Sequence, residues 1–181
     1  MNFVCLHYLF IFVLNKKNSE LSEFIGKDIM TTREDLIDIF SILHDGTISE
    51  WRGDKRLLTL TVECLYLAER IDKSFDKFYI ELYDIVKIEL DPWTNSKEIP
   101  SIIKTEFTDI FKAELEILGA NLKEENVVVT CSQFDKNFDY IGGNLTINCQ
   151  KIKIFDQNKN ELTIDQLGEI CKNYWDELSN K

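Results

Sequence analysis

Histidine, proline and glycine are scarce in this chain, and each scarcity excludes something. Two histidines in 181 residues are too few for the His-rich metal centres of phosphohydrolases. Two prolines and seven glycines exclude collagen-like, Pro-rich and flexible-linker segments. No internal repeat is visible. No Gly-rich phosphate loop, nucleophile elbow or dinucleotide fingerprint occurs, so no cofactor is expected. The five cysteines, Cys5, Cys64, Cys131, Cys149 and Cys171, are odd in number and widely spaced, without a Cys-x-x-Cys pair. That spacing argues against a zinc ribbon or a dithiol site and points to the cytoplasm. Cys64, Cys149 and Cys171 fall at apolar phases and are expected as buried small hydrophobes.

Positive charge is also short. The chain holds 32 Asp and Glu against 21 Lys and Arg, a net charge of −11. The imbalance is local. Residues 1–29 carry three charges of each sign, so the whole excess falls on residues 30–181. Such a surface repels nucleic-acid phosphates and anionic lipid, so neither nucleic acid nor membrane is expected as a partner of residues 30–181. It attracts a basic protein and speeds encounter with it at low salt. Acidic surfaces also simply keep proteins soluble.

The first residues differ from the rest. Phe3–Leu14 is a nearly unbroken apolar run, shorter than the roughly 20 residues that a membrane-spanning helix needs. No positive charge precedes it, and Asn15-Lys16-Lys17-Asn18 follows in place of a small-residue cleavage site. Three readings stand for residues 1–29: a mis-assigned start with translation beginning at Met30, a membrane or export segment, or a buried element. Residues 30–181 have the size of one domain able to bury a sizeable core.

Periodicity predicts an α+β domain. Its elements are an antiparallel sheet of about six to eight strands, with an amphipathic helix at each end of the domain. Arg33–Leu43 carries Leu36, Ile37, Phe40 and Leu43 on one stripe, with acids in its first turn. His44-Asp45-Gly46 stops it. A strand follows over Thr47–Trp51, then a turn at Gly53-Asp54. Leu58, Leu60, Val62 and Cys64 alternate with polar residues as a half-buried strand. Phe78, Ile80, Leu82, Val86, Ile88 and Leu90 share one phase. Asp84 interrupts it, as a bulge or as a tight turn between two strands, and Asp91-Pro92-Trp93 ends the run. Residues 101–118 are ambiguous. A helix or loop is expected through about Phe111, then a hairpin turning at Lys123–Asn126 into Val127–Cys131. Gly142-Gly143 opens a strand through Cys149, with a bulge near Gln150–Lys151 where the apolar phase shifts. Thr163-x-x-Gln166 is a capping box. It opens a helix with Leu167, Ile170, Cys171, Tyr174, Trp175 and Leu178 on one face.

Candidate sites are few. His44-Asp45 suits a metal-dependent hydrolase only with further His and Asp ligands, and the other histidine is His7. The turn reading needs no such partners: Asp45 and Gly46 fit a connection with positive φ, and His44 caps the helix. Asp156-x-Asn158-x-Asn160 imitates the start of a calcium loop. Glu161 stands where that loop needs Gly, and Leu167 where it needs a bidentate Glu, so a polar turn is expected. No catalytic or metal-ligating residue is assigned. A more specific expectation concerns the outward phase of the sheet. Glu63, Glu81 and Glu89 lie there beside Tyr79 and Tyr83, and carboxylates with tyrosines suit recognition of a basic protein. An ordinary solvent face of a sheet has the same pattern.

The segment His44-Asp45-Gly46-x-Ile48, then Leu58-x-Leu60-x-Val62-Glu63 and Tyr66-Leu67-Ala68, resembles a class of small uncharacterised bacterial proteins. Some of these are grouped with the immunity proteins of polymorphic toxin systems. Gly142-Gly143-Asn144-Leu145 and Tyr174-Trp175 are compatible with them. The resemblance implies a cytoplasmic, non-catalytic protein that blocks a basic toxin by binding it, and it transfers no binding residues. Two alternatives remain open: a small hydrolase using carboxylates with His44, and a scaffolding protein of mobile-element origin.

Overall fold

The computed structural model describes residues 33–96 and 98–180. One compact unit spans Thr31–Lys181 and is divided from Met1–Met30. The apolar run Phe3–Leu14 lies outside the described residues, and so do the readings made of it.

The elements run α1 (Arg33–Ile42), β1 (Thr47–Gly53), β2 (Leu57–Glu63), α2 (Leu65–Ala68), β3 (Lys77–Thr94), α3 (Phe107–Ile110), β4 (Leu115–Lys123), β5 (Asn126–Ser132), β6 (Tyr140–Phe155), β7 (Glu161–Leu162) and α4 (Ile164–Ser179). Every strand pair is antiparallel, so the architecture is the expected α+β. The pairings also close on themselves. β3 bonds β2 along one edge and β6 along the other, and β1 bonds β4. The result is a ring, β1-β2-β3-β6-β5-β4 and back to β1, with β7 beside the end of β6. The β1–β4 closure is short, Thr47–Ile48 against Leu115–Glu116. Trp51 meets Phe107 and Phe111 beside this seam, at ring distances of 5.6 and 6.1 Å. Closure matters because it leaves few unpaired strand edges.

The core follows from alternation. Leu58, Leu60 and Val62 on β2 face the same way as Phe78, Ile80 and Leu82 on β3, their direct partners, and all six are fully buried. Ile152 and Ile154 continue the row on β6. Leu36, Ile39 and Phe40 of α1, with Leu43 after it, are buried too, and α1 lies against β4 and β5. Each such side chain stabilises the fold by roughly 1.5–3 kcal/mol relative to exposure. Thr59 and Thr61 are buried on the opposite face of β2. Longer neighbours cover them: Arg52 and Glu81 flank Thr59, and Glu50 and Tyr79 flank Thr61.

Several expectations change in detail. The Phe78–Leu90 run is one strand, not two, and it continues through Asp91-Pro92-Trp93 to Thr94. Asp84 takes φ +48, and the register with β6 slips between Ile85 and Lys87. The slip turns Ile85 inward and leaves Val86 65 % exposed, the reverse of the phase expected for Val86. The partners of that slip are Cys149 and Asn148, beside the bulge expected at Gln150–Lys151. β6 opens at Tyr140, two residues before the Gly pair. Gly143 is needed because a Cβ there would stand 2.5 Å from the Asp91 carbonyl oxygen on β3. Residues 101–118 divide into an isolated bridge of Lys104 to Leu90, then α3, then β4. Cys149 and Cys171 are half-buried, not buried. On α4, Leu167 is buried but Leu178 is 48 % exposed, so the apolar face is covered through Trp175 and open at the helix's end. The capping box is present: the Gln166 N–H donates to Thr163 Oγ1 at 3.1 Å, and the Thr163 N–H to Gln166 Oε1 at 2.8 Å.

Candidate functional site

The start of β1, the end of β2 and the residues around α2 meet at one end of the sheet. Asp45, Thr47, Glu63, Cys64, Leu65, Tyr66, Glu69 and Asp76 line a cleft of about 620 Å³ there. Four of the eight are carboxylates and none is basic. Leu65 is 60 % exposed in the lining, so the cleft pairs anionic groups with apolar surface.

The backbone sets this arrangement. Asp45 takes the left-handed conformation at φ +63, and its N–H bonds the Ile117 carbonyl at 2.8 Å. The turn thus matches the expected one, with Asp45 supplying the positive φ. Gly46 serves a different need, since a Cβ there would lie 2.8 Å from the Leu43 carbonyl oxygen. Cys64 follows β2, and its N–H bonds the Asp76 carbonyl at 2.9 Å, so the 64–76 loop closes at its own base.

An aromatic group stands behind the cleft. The Tyr66 hydroxyl donates to the His44 carbonyl at 2.8 Å. The His44 ring stacks on Trp175 at 6.0 Å and 15°, and meets Tyr66 edge-on. Tyr66 and Tyr174 lie 4.7 Å apart. Arg70 stands over Tyr174 at 5.3 Å and pairs with Glu177 at 2.6 Å, fastening the residues after α2 to α4. His44 Nε2 is 3.6 Å from Asp45 Oδ2. Burial pushes the Cys64 thiol up to about 12, against a smaller opposing effect of its hydrogen bond with Tyr66. At neutral pH that thiol stays protonated and is a poor nucleophile. Burial also raises the Tyr66 hydroxyl. Among the described residues no three His, Cys, Asp or Glu side chains are grouped to hold a metal ion.

The expected recognition residues divide into three places. Glu63 belongs to the cleft. Tyr79, Glu81 and Tyr83 do share one face of β3, as their alternation requires. Cations crowd that face. Lys153 stands directly across from Glu81, and Lys151 across from Tyr83. Lys159 Nζ lies 2.7 Å from the Tyr79 ring centre, and burial with the nearby Arg52 lowers the pKa of its ammonium. The Tyr83 hydroxyl donates to Glu81 at 2.5 Å and is pushed up to about 12 by burial and by that carboxylate. Glu89 lies beyond the bulge, paired with Lys87 at 2.7 Å. The Asp156–Asn160 segment is the expected polar turn, joining β6 to β7. Asp156 accepts from the Asn160 backbone N–H and from its side-chain amide, both at 2.8 Å.

Sequence reasoning missed Leu65, Glu69 and Asp76. They sit on a short helix and its loops, where no period marks a face. Comparison with protein-family models, with curated proteins and with solved structures finds no match.

Proposed function

We propose that this domain is a non-catalytic binding protein for a basic protein partner. Its most specific form is a cytoplasmic immunity protein that neutralises a basic toxin, the reading that the resemblance over His44–Ala68 implies. The observation that carries the proposal is the cleft. Asp45, Glu63, Glu69 and Asp76 surround exposed Leu65 and half-buried Tyr66. A Lys or Arg side chain has the complementary parts, an apolar stem and a cationic head. The net charge of −11 adds long-range attraction for the same partner. One lysine offsets the cleft acids: Lys77 pairs with Asp76 at 3.5 Å and stands across from Glu63. The β3 face of Tyr79, Glu81 and Tyr83 is a weaker candidate for that role, because three lysines, Lys151, Lys153 and Lys159, stand against its single carboxylate, Glu81.

The test is affinity capture of the full chain's partners from its native source at low and at high salt, read by mass spectrometry. A single basic protein recovered in stoichiometric amount at low salt and weakened at high salt is the expected result. Recovery of no such protein at either salt counts against the proposal. One observation favours a second reading, a hydrolase: His44 and Asp45 are 3.6 Å apart beside the cleft acids. That reading requires His44→Ala to abolish an activity without altering the fold. The binding reading expects a folded variant with partner capture retained.

A further inference from the structure

The other end of β3 has a different surface. Among the described residues, five of the eleven exposed large apolar side chains lie there: Trp93, Ile102, Ile103, Phe134 and Ile141. They come from adjacent backbone segments. Lys104 bridges Leu90 on one edge of β3, and the Ser101 hydroxyl bonds Asp91 Oδ1 at 2.7 Å and the Pro92 carbonyl at 3.0 Å. Ile102 and Ile103 are therefore beside Asp91 and Pro92. On the other edge the register slips between Pro92, opposite Gly143, and Thr94, opposite Tyr140, so Trp93 faces the two residues Ile141 and Gly142. The Gln133 N–H bonds the Ile141 carbonyl, so Phe134 follows directly on β5's side. Exposures of 39 % for Trp93, 58 % for Ile141 and 77 % for Phe134 are costly for a surface with no partner.

The charges around this row select the partner. Asp91, Glu98, Asp135 and Asp139 are exposed here. Three lysines accompany these four acids, Lys104, Lys136 and, next to Glu98 in the sequence, Lys97, which leaves a small acidic excess. The Lys104 ammonium is drawn onto the buried Tyr140 ring at 5.2 Å. We infer that the C-terminal end of β3 is a docking surface for a protein segment that presents apolar side chains flanked by Lys or Arg. The apolar row takes the anchoring side chains, and the surrounding carboxylates favour a basic flank over an acidic one. The surface is separate from the cleft and does not require it.

Two synthetic peptides of equal length, one alternating Leu with Lys and one alternating Leu with Glu, test this by NMR titration of the full chain. The Leu-Lys peptide should shift the Trp93 indole N–H and the methyl signals of Ile103 and Ile141. At the same concentration the Leu-Glu peptide should leave them in place. Trp93→Ser with Ile141→Ser should weaken binding at least tenfold with an unchanged circular dichroism spectrum. If that pair unfolds the chain, Ile103→Ser alone should weaken binding severalfold. Equal response to both peptides, shifts confined to the cleft, or concentration-dependent shifts without peptide each overturn the inference. The last would assign the surface to a second copy of the chain. In the variant carrying Glu63→Lys and Glu69→Lys the Leu-Lys peptide should still shift the Trp93, Ile103 and Ile141 signals, so this inference and the cleft proposal fail separately.

Discussion

β3 is one strand with two unlike ends. At its start, around Lys77, the end of β2 and the neighbouring loops present Asp45, Glu63, Glu69 and Asp76 over a layer of packed rings. At its finish, around Trp93, the neighbours present apolar side chains with carboxylates at the margin. Between them runs the same alternating interior. The two surfaces are therefore not products of the sheet itself. Each is built by what is attached where pairing ends: the 64–76 loop at one end, the 101–104 bridge and the 133–141 connection at the other.

Both ends depend on one core, and the largest effect should come from loosening it. Phe40 is fully buried. Phe40→Ala should cost about 3–5 kcal/mol in denaturant unfolding, with fluorescence and far-ultraviolet dichroism showing one coincident transition. Separate transitions would mean that the ends are independent units. A smaller effect acts on the cleft end alone. Thr163→Ala removes the cap of α4, the helix that brings Tyr174 and Trp175 to Tyr66 and His44. About 1 kcal/mol should be lost, with hydrogen exchange faster in α4 and unchanged around Trp93.

The subtlest test concerns Asp38 on α1. Burial, with Asp35 and Glu34 adding repulsion, pushes its carboxyl up to about 6. The folded state therefore binds the proton more tightly than the unfolded state. Stability from this group is full at low pH and declines as pH rises through the interval between the ordinary carboxylate value and about 6. Asp38→Asn should thus stabilise the chain at pH 8, by about 1 kcal/mol after discounting for solvent screening. The gain should vanish near pH 4. A gain that persists at pH 4 would show a cause other than ionisation.

Much of this fold was legible in the sequence because burial imposes a period. Arg33–Leu43, Leu58–Cys64 and the Thr163–Gln166 box declared themselves by spacing, and the structure places α1, β2 and α4 there. Two kinds of information were hidden. Ring closure depends on β3 meeting β6 and β1 meeting β4, pairings between distant segments that no local pattern encodes. The bulge hid the second kind: Asp84 marked a disturbance, but the side chain turned outward was Val86 and the one turned inward Ile85. The candidate site was legible in part. His44-Asp45 and Glu63 were found, while Glu69, Asp76 and the stack of His44 on Trp175 depend on loop closure and helix docking. The acids of β3 were found too, but their lysines arrive from β6 and the following turn, across the sheet.

We propose the cleft, more than the β3 face, as the surface that takes a basic partner. The most direct test is the association rate of the captured partner at low salt with three full-length chains. These are the wild type, the cleft variant Glu63→Lys with Glu69→Lys, and the face variant Glu81→Lys with Glu89→Lys. The expected result is an association rate about tenfold lower for the cleft variant, with the face variant close to the wild type. A cleft variant that associates as fast as the wild type, or a face variant that is slowed more, would contradict it.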